Sequence, residues 1–175
     1  MNASGKSAAS VAPSSAAIQH TSIATGLTYE ALVSAFEHEL GYLDPPVAER
    51  LLEQKAAWTE VERAMERVAG PRGLMIIARA DQGKITSLSG DEKRCSLYLV
   101  GNPVIANRIL SIDLRASFYV PFRVCLYDDG GPKGAVISYD RPSSFLAALE
   151  RPELKEFGEL LDRKIDEVAN ALQKI

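Results

Sequence analysis

The sequence predicts an α+β fold built around one sheet, and three observations support this. Up to Gly70, apolar residues recur mostly every three or four positions, the spacing of amphipathic helices. Between residues 74 and 139, short apolar or alternating segments are separated by turn residues, as strands are. A long amphipathic segment closes the chain. The element order β-α-α-α-β-β-α-β-β-α predicts a curved antiparallel or mixed sheet of about five strands, with helices on one face and a long C-terminal helix.

The chain is predicted to open with a tail and an edge strand. Residues 1–17 are rich in Ser and Ala and offer little to bury, which predicts a disordered tail. Residues 18–175 then form a single α+β domain. The β-branched alternation over residues 21–25 indicates the edge strand, and Thr28 caps a helix over residues 28–40 that Gly41 ends.

Two further helices are predicted from capping patterns. Asp44 precedes two prolines, so its side chain is expected to cap a short second helix. Thr59 and Glu62 have the spacing of a capping box, in which each side chain bonds a backbone donor beside the other. Trp58, directly before that cap, occupies the position of a hydrophobic staple. Gly70 closes the third helix.

The second half of the chain contains the other predicted strands. They cover residues 74–79, 96–100, 122–126 and 135–139. Residues 81–83 are predicted as a turn and residues 85–91 as irregular chain, whereas Asp129-Gly130-Gly131 joins the last two strands into a hairpin. Residues 103–112 form a short helix. The C-terminal helix opens at Pro152, and its apolar seam consists of Leu154, Phe157, Leu161, Ile165, Val168 and Leu172.

Composition and charge argue against several classes of protein. The net charge of −3 is spread over mixed-sign helices without a basic stripe, so no nucleic-acid partner is expected. The longest apolar run covers residues 74–78, too short for a bilayer, and no secretory signal is recognised. These observations predict a soluble, cytoplasmic protein without membrane contact. Cys95 and Cys125 are then expected to be buried thiols.

The histidines and cysteines lack the spacing of a metal site, so neither a metal nor a cofactor is expected. His20 is assigned to the tail. A Ser-His-Asp or Cys-His catalytic arrangement would therefore have to use His38, which stands between two glutamates on a solvent face. The sequence thus favours a protein that is not an enzyme and predicts no catalytic residue.

The break Gly101-Asn102-Pro103 is the first candidate for a binding site. Asn102 can cap the helix that Pro103 begins, which leaves backbone N–H groups at a helix N-terminus able to attract an anion. Arg108 and Arg115 are the cations placed to help. The alternative interpretation is a simple strand-to-helix corner, in which Asp would cap as well as Asn102.

The second candidate is the segment Ser138-Tyr139-Asp140 at the end of the hairpin. Tyr139 and Asp140 could face a cleft as a hydroxyl donor and a carboxylate. The alternative interpretation makes Asp140 a turn former and Tyr139 a core ring with a solvated hydroxyl.

These motifs carry a resemblance to a known family. The run from Leu97 to Pro103, the sequence Tyr119-Val120-Pro121 leading into a strand, and Ser138-Tyr139-Asp140 before a short helix resemble the family called domain of unknown function 302. Residues 73–75 and 161–164 resemble a bacterial branch of it. The resemblance implies a small α+β fold similar in outline to TATA-box-binding-protein-like folds, and a homodimer. It implies no activity.

Three functions remain open at this stage. The first is a non-enzymatic module that binds a small molecule or a protein, with Asn102, Arg108, Tyr139 and Asp140 as ligand-binding residues. The second is a homodimeric interaction protein without a small ligand. The third is a small enzyme that uses Tyr139 and Asp140 as an acid/base pair, which would require a perturbed carboxylate in a closed pocket.

Overall fold

A six-stranded mixed sheet runs through the computed structural model, which describes residues 15–175. The strands are β1 (His20–Ala24), β2 (Gly41–Tyr42), β3 (Met75–Ala80), β4 (Arg94–Gly101), β5 (Phe122–Asp128) and β6 (Val136–Asp140). Their order across the sheet is β1-β6-β5-β4-β3-β2, and every neighbouring pair is antiparallel except β2 and β3. The predicted α+β class is confirmed. The sixth strand, β2, was missed because it has two residues and directly follows a helix.

Helices occupy the connections between the strands. They are α1 (Tyr29–Glu39), α2 (Pro45–Glu53), α3 (Trp58–Val68), α4 (Gln82–Thr86), α5 (Pro103–Ile112), α6 (Pro142–Ala147) and α7 (Lys155–Leu172). Single 3₁₀ segments cover Ser87–Ser89, Leu114–Phe118 and Pro152–Leu154. The predicted tail lies mainly in residues 1–14, which are outside the described residues. Within residues 15–175, no helix combines the length and the apolar character needed to cross a bilayer.

The predicted helix starts are partly confirmed. The Thr28 side chain accepts a hydrogen bond from the backbone N–H of Ala31 at 3.2 Å and so caps α1. Asp44 precedes α2 as predicted, but its side chain makes no capping bond. The capping box at Thr59 is wrong, because α3 already begins at Trp58 and Ala57 holds the extended cap position. Thr59 therefore lies inside the first turn, where its side chain cannot cap.

The segment predicted as a turn and irregular chain is helical over residues 82–89. Asp81 Oδ1 accepts a hydrogen bond from the backbone N–H of Lys84 at 2.9 Å and thereby caps α4. A Cβ at Gly83 would lie 2.4 Å from the carbonyl oxygen of Lys93, so only glycine lets α4 approach the start of β4. The sequence predicted Gly83 as a turn residue, whereas the close contact between α4 and β4 is what requires a glycine here.

The main core lies between one face of the sheet and the helices α1 and α7. Leu32 and Phe36 of α1 are fully buried there, as is Ile165 of α7. From the sheet they meet alternate strand residues, which point to the same face: Ile76, Tyr98, Val100, Phe122, Val124, Leu126, Ile137 and Tyr139. Burying a Leu or Phe side chain stabilises a fold by about 1.5–3 kcal/mol. The predicted seam of the C-terminal helix is confirmed as core, with Phe157 half-buried at its border.

A smaller cluster fixes α3 at the other end of the sheet. Ala64 and Met65 of α3 bury Met75 of β3. The two cysteines are half-buried and unbonded on neighbouring strands, Cys95 on β4 and Cys125 on β5. Burial raises the pKa of the Cys125 thiol.

Candidate functional site

The two faces of strand β6 carry different side chains. Tyr139 points to the helix-covered face, where it is buried and reaches α7. Ser138 and Asp140 point to the opposite, open face, because successive residues of a strand alternate between faces. The structure therefore separates Tyr139 and Asp140, and the two do not line one cleft as an acid/base pair.

On the helix side, Tyr139 belongs to a network that we call the scaffold network: Tyr139, Arg141, Ser143, Asp162 and Asp166. The Tyr139 hydroxyl donates to Asp166 Oδ1 at 2.8 Å. Burial, followed by this hydrogen bond to a carboxylate, raises the pKa of Tyr139 well above its usual range. Arg141 donates two parallel hydrogen bonds to the same carboxylate, at 3.0 and 2.9 Å.

Asp162 completes the scaffold network and is the one buried carboxylate among the described residues. It accepts hydrogen bonds from the backbone N–H of Ser143 at 3.0 Å, from the Ser143 hydroxyl at 2.6 Å and from Arg141 Nε at 3.2 Å. Its charge lies at the N-terminus of α6, where a carboxylate is stabilised. The network joins α6 and α7 to the end of β6.

On the open side, four residues form what we call the open-face network: His20, Ser22, Ser138 and Asp140. Asp140 Oδ1 lies 2.8 Å from His20 Nδ1, and Ser138 Oγ lies 2.8 Å from His20 Nε2. Ser22 Oγ lies 2.8 Å from Ser138 Oγ and 3.2 Å from His20 Nε2. His20 is thus the first residue of β1 and part of a cluster, not a tail residue.

The bonding order Asp140–His20–Ser138 is that of a Ser-His-Asp arrangement, so the expectation that such an arrangement must use His38 is wrong. His38 is exposed on α1. Ser138, however, is an interior strand residue that pairs with Ser22 on one side and with Cys125 on the other. Its backbone N–H is taken up by the sheet ladder, whereas acyl transfer needs free donors beside the nucleophile. The open-face network therefore orients Asp140, and the backbone N–H of Ser138 is not free to form part of an oxyanion hole.

A cleft of about 560 Å³ opens beside Asp140, and we call it the aromatic cleft. Its main walls are Ile18, Phe118, Tyr119, Arg123, Asp140 and Phe145. Tyr119 stacks on Phe145 with ring centroids 5.4 Å apart and planes 7° apart. Arg123 Nη2 lies 3.6 Å from Asp140 Oδ2, and its side chain is 71% exposed. The cleft therefore combines an apolar, aromatic wall with one carboxylate and one accessible guanidinium.

The corner at Asn102 is built differently. Asn102 Oδ1 accepts a hydrogen bond from the backbone N–H of Val104 at 2.8 Å, so the predicted cap is confirmed. Its Nδ2 donates to the carbonyl oxygen of Gly73, also at 2.8 Å. Asp could not make this second bond, so the expected equivalence of Asp at this position no longer holds. Asn102 lines an apolar cavity, not the aromatic cleft.

Neither of the two arginines predicted beside Asn102 lines the cavity that Asn102 lines. Arg108 is exposed on α5. Arg115 binds Asp113 at 2.7 Å, and these hydrogen bonds lower the pKa of Asp113 to about 2. Of the four predicted ligand-binding residues, Asp140 alone lines the aromatic cleft. A role for Arg108 in anion binding stays a prediction.

Asn102, Pro121 and Asp140 all lie within the part of the chain that matches a known family. The family model for the domain of unknown function DUF302 matches residues 50–174. The chain belongs to the DUF302 family. The crystal structure of an uncharacterized conserved DUF302 protein from Bacillus stearothermophilus is similar to this chain with a TM-score of 0.61 and 14% identity, over 87% of this chain and 97% of that one. That likeness shows the fold alone. No curated protein matches this chain significantly.

Several site residues of this DUF302 protein were missed from the sequence. His20 and Ser22 precede the residues that the family model matches. A signal was present, because the alternation that predicts β1 from Thr21, Ile23 and Thr25 places His20 and Ser22 together on the other face. Arg123 and Phe118 gave no comparable signal, since their neighbours in the cleft are distant in the sequence.

Proposed function

We propose that this DUF302 protein is a non-enzymatic binding module whose aromatic cleft holds a small amphipathic molecule. The observation that carries the proposal is the cleft itself, with its charged end at Arg123 and Asp140. Its volume of about 560 Å³ lies in the range of ligand sites, roughly 300–1,000 Å³. Such sites combine mostly apolar walls with a few polar groups that orient the ligand, which is the composition of this cleft.

The apolar wall supports a ligand with an apolar body. Phe118 is 85% exposed, and its ring lies edge-on to Tyr119 with centroids 5.2 Å apart. A ligand that covers Phe118 removes a large apolar side chain from water, which stabilises the complex by about 25 cal/mol for each Å² covered. Aromatic rings prefer offset-stacked or edge-to-face partners, so an aromatic ring is the best-matched body.

The charged end supports a ligand with a carboxylate. A guanidinium presents donors in a fixed fork that matches a carboxylate, and that of Arg123 is exposed. The distance of 3.6 Å between Arg123 Nη2 and Asp140 Oδ2 is too long for a hydrogen bond, so the guanidinium donors can still bind a ligand. The open-face network holds Asp140 in place through His20, and the guanidinium of Arg123 lies 3.6 Å from that carboxylate at the edge of the cleft.

Calorimetric titration with 3-phenylpropionate tests the proposal, with 3-phenylpropan-1-ol as the uncharged probe. We expect the carboxylate to bind the wild type more tightly than the alcohol by about tenfold, since hydrogen bonds to charged groups contribute about 1.5–3 kcal/mol. Arg123→Gln should abolish that difference. Arg63→Gln, an exposed arginine on α3, should retain it. Equal binding of both probes to the wild type, or no binding of either, would contradict the proposal.

A second candidate function is a homodimer, as the family resemblance implies. Leu114 and Phe118 support it, because they are 77% and 85% exposed on one 3₁₀ segment. Such exposed apolar side chains are typical of interfaces. Native mass spectrometry of the purified protein distinguishes the candidates, because it reports both the oligomeric state and any small molecule retained. A dimer that Phe118→Ser converts to a monomer would favour this function. A monomeric wild type would argue against it. Under either function, we propose that the protein is cytoplasmic.

A further inference from the structure

A second cavity, partly open to solvent, lies at the corner formed by Asn102, and it differs from the aromatic cleft in chemistry. Its volume is about 190 Å³. The residues that define it are Ile77 on β3, Ile105, Ala106 and Ile109 on α5, Phe122 on β5 and Leu161 on α7. Leu43, Val120 and the two prolines Pro103 and Pro121 complete its apolar lining.

Asn102 is the one polar side chain in this lining, and both ends of its amide are already bonded. Its oxygen accepts from the N–H of Val104, and its nitrogen donates to the carbonyl of Gly73. A water molecule inside a protein needs two to four polar partners, and Asn102 is the one side chain of this lining that could supply any. A polar ligand would lose its hydration without replacement, at a cost of roughly 1–3 kcal/mol for each unmatched group.

We infer that this cavity binds a small, uncharged aromatic hydrocarbon or a similar apolar ring. The size supports one ring, since an apolar cavity of about 150 Å³ lined by Leu, Ile and Phe stays dry and binds benzene. A cavity of about 190 Å³ therefore accommodates benzene with a methyl substituent. The inference goes beyond the proposed function, because the ligand class, the lining side chains and the absence of a charged partner differ from those of the aromatic cleft.

The cavity shares Pro121 and Phe122 with the aromatic cleft. Ala106 does not line the cleft, however, so a change at Ala106 separates the two sites. A leucine at this position would place its side chain into the cavity from α5, a helix in which Leu is well tolerated.

Toluene and phenol are the matched probes, because they have similar size and phenol carries a hydroxyl group where toluene carries a methyl group. Toluene should raise the melting temperature of the wild type in a saturable manner, by about 2–4 °C at a few times its dissociation constant. Phenol should give a much smaller rise. Ala106→Leu should abolish the toluene effect, whereas Ala31→Leu, at an exposed position of α1, should preserve it.

Intermolecular NOEs make the test independent of the variant. In the wild type, toluene protons should show NOEs to the methyl groups of Ile109 and Leu161, and these should be absent with phenol at the same concentration. Binding of 3-phenylpropionate to Ala106→Leu should be unchanged, which separates this inference from the proposed function. The inference is overturned if toluene gives no saturable shift, if the NOEs are absent, or if Ala106→Leu binds toluene like the wild type.

Discussion

The two polar networks on either side of β6 use the same kinds of side chain and differ in their surroundings. In the scaffold network, Asp162 is buried and accepts three hydrogen bonds from α6 and Arg141. In the open-face network, Asp140 is about one-third exposed and borders a cleft. Asp162 on α7 is thus enclosed by its partners, whereas Asp140 at the end of β6 stays accessible. Burial and the number of hydrogen bonds distinguish the two carboxylates, whereas residue type does not.

Asp162→Ala provides the largest expected effect on this comparison. The substitution leaves the N–H of Ser143 and the Nε of Arg141 without their acceptor in a buried site. We expect the free energy of unfolding to fall by about 3 kcal/mol, as when one partner of a buried charged pair is removed. Urea denaturation measures it. Glu159→Ala on the same helix, an exposed residue, should change it by about 0.5 kcal/mol or less. Equal losses would show that Asp162 stabilises the fold no more than an exposed carboxylate of the same helix does.

Tyr139→Phe should have the next largest effect. It removes the hydroxyl that donates to Asp166 and leaves the buried ring in place. Because Arg141 still binds Asp166, we expect a loss of about 1.5 kcal/mol, at the lower end for hydrogen bonds to charged groups. The control is Tyr42→Phe, where the ring is 54% exposed and little change is expected. A neutral Tyr139→Phe would show that this hydroxyl is not structural.

Alkaline titration separates buried from exposed tyrosines. Burial raises the pKa values of Tyr29, Tyr98 and Tyr139 in the folded protein. The unfolded chain ionises its tyrosines near pH 10, so it loses protons before the folded state does. Stability is therefore fully present below about pH 10 and falls as the pH rises above it. Absorbance at 295 nm should show the three late tyrosines ionising together with unfolding. Their ionisation near pH 10 while the protein is still folded would contradict this.

Asp140→Asn should have the smallest effect on stability. Its hydrogen bond with His20 and its ion pair with Arg123 are partly exposed, and exposed ion pairs contribute about 0–1 kcal/mol. The same change at the other network, Asp166→Asn, should cost more because it weakens two hydrogen bonds from Arg141. Chemical denaturation of both variants checks the order. A larger loss for Asp140→Asn would mean that the open-face network also stabilises the fold.

Local patterns predicted the parts of the fold that depend on neighbours in the sequence. The cap at Asn102 and the buried seam of α7 followed from spacing alone. The start of α3 did not, because the helix begins two residues before the start that the Thr59–Glu62 pattern predicts, with Ala57 at the cap. Short β2 forms by pairing with β3, which no pattern in its two residues indicates.

The candidate site was less predictable because its parts meet only in the folded sheet. The sequence indicated that residues 21–25 form a strand and that Asp140 ends another. It could not show that β1 pairs with β6 in the register that places His20 opposite Asp140. Register is fixed by packing of the helix-side residues, so the open-face partners follow from contacts elsewhere. Tyr139 and Asp140 adjoin in sequence but point to opposite faces, because side chains alternate along a strand.

The pairing of β1 with β6 has a consequence for the timing of folding and local opening. His20 and Asp140 are 120 residues apart, so their contact requires closure of a long loop and belongs to the late, non-local steps. As an edge strand, β1 can also detach while the central strands stay paired. Its amides should exchange with deuterium before those of β4 and β5. Each such opening withdraws His20 from Asp140, so the open-face network is lost more often than the fold that carries it.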